Sequence, residues 1–173
     1  EQAYLHLIEQ LKKQIRAIDT EVRRLIESDP TFKEMLLLLL SVPGVGLLLA
    51  SHFILLAQFS LEYKLLASFL GIAPHEHSSG TSVYKPATSR HFGPPAIRKL
   101  LYLAACSVCT HRPQFRTYLA RKTQQGKPAR LVLNNVENKL IRIMCAVLSS
   151  KTAFIESYHS VQPLALQKAL TVS

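Results

Sequence analysis

From His77 to Val136 the chain contains no aspartate or glutamate. The same stretch carries Lys85, Arg90, Arg98, Lys99, Arg112, Arg116, Arg121, Lys122, Lys127 and Arg130, while elsewhere cations and carboxylates are equal in number. The formal net charge of +10 therefore sits in one third of the sequence. A merely solvated surface mixes both signs, so this one predicts a face for a polyanion. A second absence lies between Glu34 and Glu62, where no residue is charged. Its length raises a membrane span, but Pro43-Gly44-Val45-Gly46 interrupts it and His52 and Gln58 punctuate it. Each half is too short to cross a bilayer. Cysteine is scarce and odd in number, with three residues and no signal-peptide pattern, which points to a reducing cytosol. Cys106 and Cys109 have C-x-x-C spacing inside an apolar helical run, where they read as small core side chains rather than as a zinc or redox site.

What is present suits an ordered chain: 173 residues, 48% hydrophobic and 18% charged, enough for one well-buried domain and an appendage. Residues 1–28 read as a long helix. Ile8, Leu11, Ile15, Ile18, Val22 and Leu25 alternate in steps of three and four, the seam of a coiled coil. That seam either pairs with another chain or lies on the protein's own core. The chain starts inside this helix without a cap or an initiator Met, as expected of a fragment of something longer. Residues 29–150 read as a helical domain and 151–173 as a weakly ordered tail. Asp29 and Pro30 start a helix running to about Leu40, and another runs from about Leu47 to Ala57.

The intervening Pro43-Gly44-Val45-Gly46 fits a helix-hairpin-helix, in which Gly44 and Gly46 bring backbone N–H groups to a phosphate. It fits a plain interhelical turn too, since no Lys or Arg flanks it. Ser60 is expected to cap a helix from Leu61 to Leu70, ended by Gly71 and Pro74. From Ile72 to Pro95 the pattern is a long loop with at most a short β-hairpin around Ser82 to Tyr84. Helices over Ala96 to His111, Pro113 to Gln125 and Pro128 to about Ser149 complete a mainly α fold. In the last, Leu131, Val132, Val136, Leu140, Ile143, Met144 and Val147 form the expected buried stripe.

The long loop holds the candidate chemistry. Ser78, Ser79, Thr81 and Ser82 offer hydroxyls, and His75, His77 and His91 offer bases or phosphate donors. A serine is a poor nucleophile until its proton is taken. Attack on a phosphodiester also needs cations on the oxygens, and Lys85 and Arg90 are near in sequence. Spacing alone does not choose among the hydroxyls, nor does it separate a reactive loop from an ordinary one.

Six motifs occur in order: V-P-G-V-G (42 to 46), L-A-S-F-L-G-I-A-P (66 to 74), S-S-G-T-S-V (78 to 83), T-S-R-H-F-G (88 to 93), I-R-K-L-L-Y-L-A-A (97 to 105) and G-K-P (126 to 128). Together, over roughly Leu36 to Leu148, they resemble the C-terminal transposase domain of the insertion-sequence 110 (Piv/MooV) family. The resemblance implies a DNA recombinase in which Ser79, before Gly80, forms a 5′-phosphoserine link, with Ser78 the alternative if the alignment slips. It implies a coiled-coil connector and a homo-oligomer, dimer or tetramer. It further implies a bridge RNA that guides target choice, and a separate RuvC-like domain whose four carboxylates hold Mg²⁺. Two departures stand out. Arg90 replaces the family's lysine, a rigid fork for a flexible point charge, and no carboxylate tetrad exists here, with only Glu62 and Glu76 near the loop.

The resulting expectation is the serine half of a bacterial or archaeal cytoplasmic transposase, inactive by itself, with no cofactor of its own and no membrane. The expected nucleic-acid contacts are Gly44, Gly46, Lys85, Arg90, Arg98, Lys99, Arg121, Lys122, Lys127 and Arg130. A non-catalytic DNA- or RNA-binding module, in which Ser79 is a loop residue, is the main alternative; a membrane-surface protein with a basic face is the third.

Overall fold

The computed structural model describes the backbone of residues 2–79, 83–89 and 93–156, and side chains outside 74–92. Helix α1 (Gln2–Glu27) buries no residue. Ile8, Leu11, Ile15, Ile18 and Leu25 of its apolar seam are all exposed. Only its C-terminal end meets the rest, where Ile26 leans on the core beside α2 (Pro30–Leu40) and α3 (Leu47–Ala57). Among the described residues, then, the seam does not lie on the domain's core. As expected, Asp29 caps α2: its Oδ1 accepts from the Thr31 N–H at 2.7 Å and the Phe32 N–H at 3.2 Å.

The turn between α2 and α3 is short because its valines are core. Val42 and Val45 are buried, and Gly44 has φ +79°. A Cβ there would stand 2.7 Å from Val108 Cγ1 and 3.0 Å from the Ala104 carbonyl oxygen of α5 (Pro95–His111). Packing against α5 is thus sufficient reason for a glycine at this position. Gly46 is different, with open space where a Cβ would go.

Helix α4 (Tyr63–Phe69) is shorter than the sequence pattern suggests. Ser60 does not cap it; its Oγ accepts the Glu62 N–H at 3.0 Å, a local turn that delays the first helical residue to Tyr63. Helices α6 (Pro113–Gln124) and α7 (Ala129–Ser150) follow α5, and α7 is the centre of the domain, touching α2, α4, α5 and α6. Its buried face holds Val132, Val136, Leu140, Ile141, Met144, Cys145 and Val147. Leu131 is exposed instead, because neighbours on a helix stand about 100° apart and Val132 takes the inward place. Cys109 and Cys145 are buried core side chains. Past α7, Lys151 adopts a left-handed conformation that turns the chain back. Phe154 then packs on the core, its N–H donating to Ser41 Oγ at 2.8 Å. No helix among the described residues is long and apolar enough to cross a membrane.

Replacing Gly44 with alanine combines backbone strain with a clash into α5. It is expected to lower unfolding free energy by about 2–4 kcal/mol, read as a drop in thermal midpoint. Gly46→Ala, with nothing near its Cβ, is the control and is expected to move the midpoint little.

Candidate functional site

The stretch expected to be mostly loop is largely a β-hairpin. Strand β1 (Pro74–Ser79) pairs antiparallel with β2 (Val83–Ser89). Pro74 faces Ser89 and His75 faces Thr88; His77, Ser78 and Ser79 then face Lys85, Tyr84 and Val83. The register slips once, so that Pro86 and Ala87 together oppose Glu76. A proline has no N–H for the ladder, which makes this the natural place for a bulge. Ser79 is the last residue of β1, and residues 80–82 join the strands outside the described residues. Thr81, Ser82, Arg90 and His91 also lie outside them, and the side chains of Ser78, Ser79 and Lys85 are not described. The hairpin is longer than the short turn around Ser82 to Tyr84 that the sequence suggested, because the ladder extends down both arms to Pro74 and Ser89.

Both feet of the hairpin are fixed. At the entry, Ile72 and Ala73 donate their N–H groups to the Ala67 carbonyl, at 3.0 and 3.1 Å, which closes off α4. The Ile72 carbonyl then accepts from two side chains of α7, Asn134 Nδ2 and Asn138 Nδ2, each at 3.0 Å. Asn138 Nδ2 also donates to the main-chain carbonyl of Asn134, one turn back, at 3.0 Å. At the exit, Gly93 has φ +93° and lies against the Phe69 carbonyl oxygen, with Leu70 Cα 2.9 Å from where a Cβ would sit. The strands therefore enter and leave over the same turn at the end of α4.

Beside the exit, α5 and α7 carry the nearest basic groups. Arg98 stands in the first turns of α5, and Arg130 lines a cleft of about 450 Å³ with Tyr102, Ala129 and Leu133. Between these arginines lies Glu137, the first carboxylate after Glu76, only 6% exposed. Burial pushes its carboxyl up to about 7, against the opposing pull of Arg98 and then Arg130. Sequence reasoning passed over Glu137, and over Asn134 and Asn138. A lone Glu in the middle of an apolar helical stripe was the available signal.

Among the described residues, the expected nucleic-acid contacts are spread over several elements. Arg98, Lys99 and Arg130 belong to the α5–α7 side, with exposed Lys127 just before α7. Arg121 and Lys122 end α6. Gly44 lies against Ala104 and Val108, about 9–15 Å along α5 from Arg98. Gly46 precedes α3 without a side-chain cap, leaving first-turn N–H groups for another acceptor. Among the described residues no three of His, Cys, Asp and Glu converge to hold a metal. The Mg²⁺ implied by the resemblance therefore does not fit them.

Residues 36–120, which run from α2 into α6 and enclose the hairpin, match the Transposase IS116/IS110/IS902 family. They form a transposase domain of that family. Among its relatives, the pilin gene-inverting proteins of Moraxella lacunata and Moraxella bovis are each 28% identical over 149 residues, covering 84% of this chain and 46% of theirs. An insertion element IS110 protein of 43.6 kDa from Streptomyces coelicolor is 29% identical over 148 residues, 84% of this chain and 35% of its own. The chain thus spans about half, or less, of the length of these curated relatives.

Buried Glu137 gives the transposase domain a pH signature. Its folded value, about 7, exceeds the ordinary 4.5. The folded state therefore holds more protons than the unfolded one between those values, and stability is greatest below the window and falls as pH rises through it. Glu137→Gln is expected to remove that fall and to be more stable than the parent by roughly 1–3 kcal/mol at pH 8. Denaturant unfolding at pH 5 and pH 8 measures both; parallel pH dependence in the two proteins refutes it.

Proposed function

We propose that this chain is the serine-nucleophile part of a DNA recombinase. The observation that carries the reading is the place of Ser79, at the end of β1 on a hairpin pinned to α4 and α7, inside the family's matched segment. A nucleophile needs such anchoring, because small displacements of the attacking atom cost rate steeply. In the step envisaged, Ser79 Oγ attacks the phosphorus of a DNA phosphodiester. The Oγ–P bond forms, the P–O3′ bond breaks, and the serine proton passes to a base. A 5′-phosphoserine and a free 3′-hydroxyl result, and attack by a 3′-hydroxyl of the exchanged strand reverses the chemistry. Ser78, paired with Tyr84, is the alternative nucleophile.

DNA as substrate is supported by the relatives' names, which speak of gene inversion and of an insertion element. A guide RNA, and a RuvC-like domain that supplies Mg²⁺ from the remaining length of the full protein, complete the proposal by resemblance. The cations in and after the hairpin would hold the phosphates: Lys85 and Arg90 by sequence, Arg98 and Arg130 by their place on α5 and α7.

Ser79→Ala in the full-length protein is expected to abolish strand exchange and the covalent protein–DNA adduct while leaving DNA affinity within about twofold. Unaltered recombination would sink the nucleophile and leave a binding module.

The exposed seam of α1 supports self-association. Apolar residues at coiled-coil spacing that the described residues leave exposed are a surface that a second copy would cover. Leu11→Glu with Ile18→Glu is expected to turn an oligomer into a monomer in sedimentation velocity. The domain's thermal midpoint should hold, since α1 buries nothing of its own. An unchanged mass would show that the seam does not join chains.

A further inference from the structure

One cluster of cations gathers where α4, α6 and α7 meet. Lys139 and Arg142 lie on the exposed side of α7. Lys139 Nζ is 3.9 Å from the ring centroid of Tyr118 on α6, and the Arg121 guanidinium is 5.9 Å from that same ring. The Arg142 guanidinium sits 4.5 Å from the ring of Tyr63 on α4. Two half-buried tyrosines, on α4 and α6, therefore meet three cations of α6 and α7. Lys122 completes the group, its Nζ donating to Gln125 Oε1 at 3.1 Å.

Among the described residues no carboxylate is ion-paired with this group. The ion pairs there are Arg23 with Glu27, Arg24 with Glu21 and Arg112 with Glu156, and none involves these four cations. Burial, then Arg121, Arg142 and Lys122, lower the Lys139 ammonium from its ordinary value. Like charges held together without counter-charge repel one another, and an anion laid across them removes that repulsion. Phosphates of a nucleic-acid backbone, spaced along a strand, suit such a row better than one small anion does.

Position separates Lys139, and the Arg121 and Tyr118 it meets, from Arg130. Arg130 and Lys139 are nine residues apart on α7, which places them about 180° apart around its axis. Arg130 faces the cleft with Tyr102 of α5, whereas Lys139 faces Tyr118 of α6. A single backbone segment lying straight along one side of α7 does not reach both.

We propose that Lys139 and Arg142, with Arg121, Lys122 and the rings of Tyr63 and Tyr118, form a second phosphodiester-binding face, so that one copy of this domain holds two nucleic-acid segments on opposite sides of α7. The proposal rests on the reading of the domain as one that handles nucleic acid, but not on Ser79 being the nucleophile. A recombinase must keep two partners in hand at once, and a two-sided domain does so within one chain.

The test counts segments per chain. The full chain is titrated at low salt with a short fluorescent DNA duplex and, separately or in competition, with a short RNA hairpin. The expected result is two segments bound per chain, whether two of DNA or one of each, the second arm telling which polymer takes the new face. Lys139→Gln with Arg142→Gln is expected to reduce this to one. The slope of log affinity against log salt for the second segment should fall by about two in that variant. The charge-preserving pair Lys139→Arg with Arg142→Lys should restore two per chain, and an unchanged thermal midpoint shows that folding is not the cause. One segment per parent chain, or two per chain in the Gln variant, overturns the second face. Either result leaves the Ser79→Ala outcome free to stand, so the two readings fail separately.

Discussion

The Ile72 carbonyl oxygen is where this domain is tied together. Two asparagine amides from consecutive turns of α7 converge on it, at the point where the chain leaves α4 and begins β1. A half-buried carbonyl at a helix end needs donors, and here the donors come from the central helix of the core. The entry to β1 is thereby tied to α7. Gly93 closes the other foot by letting the chain pass against Phe69 and Leu70 without a side chain between them. Both ends of the segment that carries the hairpin, Ile72 and Ala73 on one side and Gly93 on the other, thus meet the last turn of α4.

The second organising constraint is electrostatic. The excess of cations, most of it in the sixty residues before Glu137 that lack a carboxylate, would spread repulsion over a surface were it not managed. The fold manages them in two ways. Arg98 and Arg130 share a buried Glu137, which is costly to ionise and so only partly offsets them. Arg121, Lys139 and Arg142 instead use aromatic faces, which hold cations without neutralising them. In both places positive charge stays available to a partner, and α7 lies between.

Some of this followed from sequence order alone. The caps and breaks that start α2, α3 and α5 are local chemistry: Asp29 at an N-cap, glycines between apolar runs, and a proline in the first turn. The exposure of the α1 seam was legible as one of two options, since a three-four repeat says that apolar side chains line up and not what covers them. Ser60 misled because a hydroxyl beside a helix start can serve a turn as readily as a cap. The length of the hairpin was hidden because its strands, Pro74–Ser79 and Val83–Ser89, are polar and proline-containing and lack the alternation that marks a half-buried strand.

The sequence by itself determined the helical elements, the identity of the serine-bearing segment and the concentration of positive charge, because periodicity, turn residues and charge are written along the chain. Only the tertiary structure decided that Asn134 and Asn138 hold the hairpin's foot, 62 and 66 residues from Ile72. It alone showed that Glu137 is buried between two arginines, and that the basic residues divide between two sides of α7. Each of these depends on which helix faces which across the core. That choice is made by the packing of whole apolar faces, and no local pattern around an asparagine, a glutamate or a lysine records it.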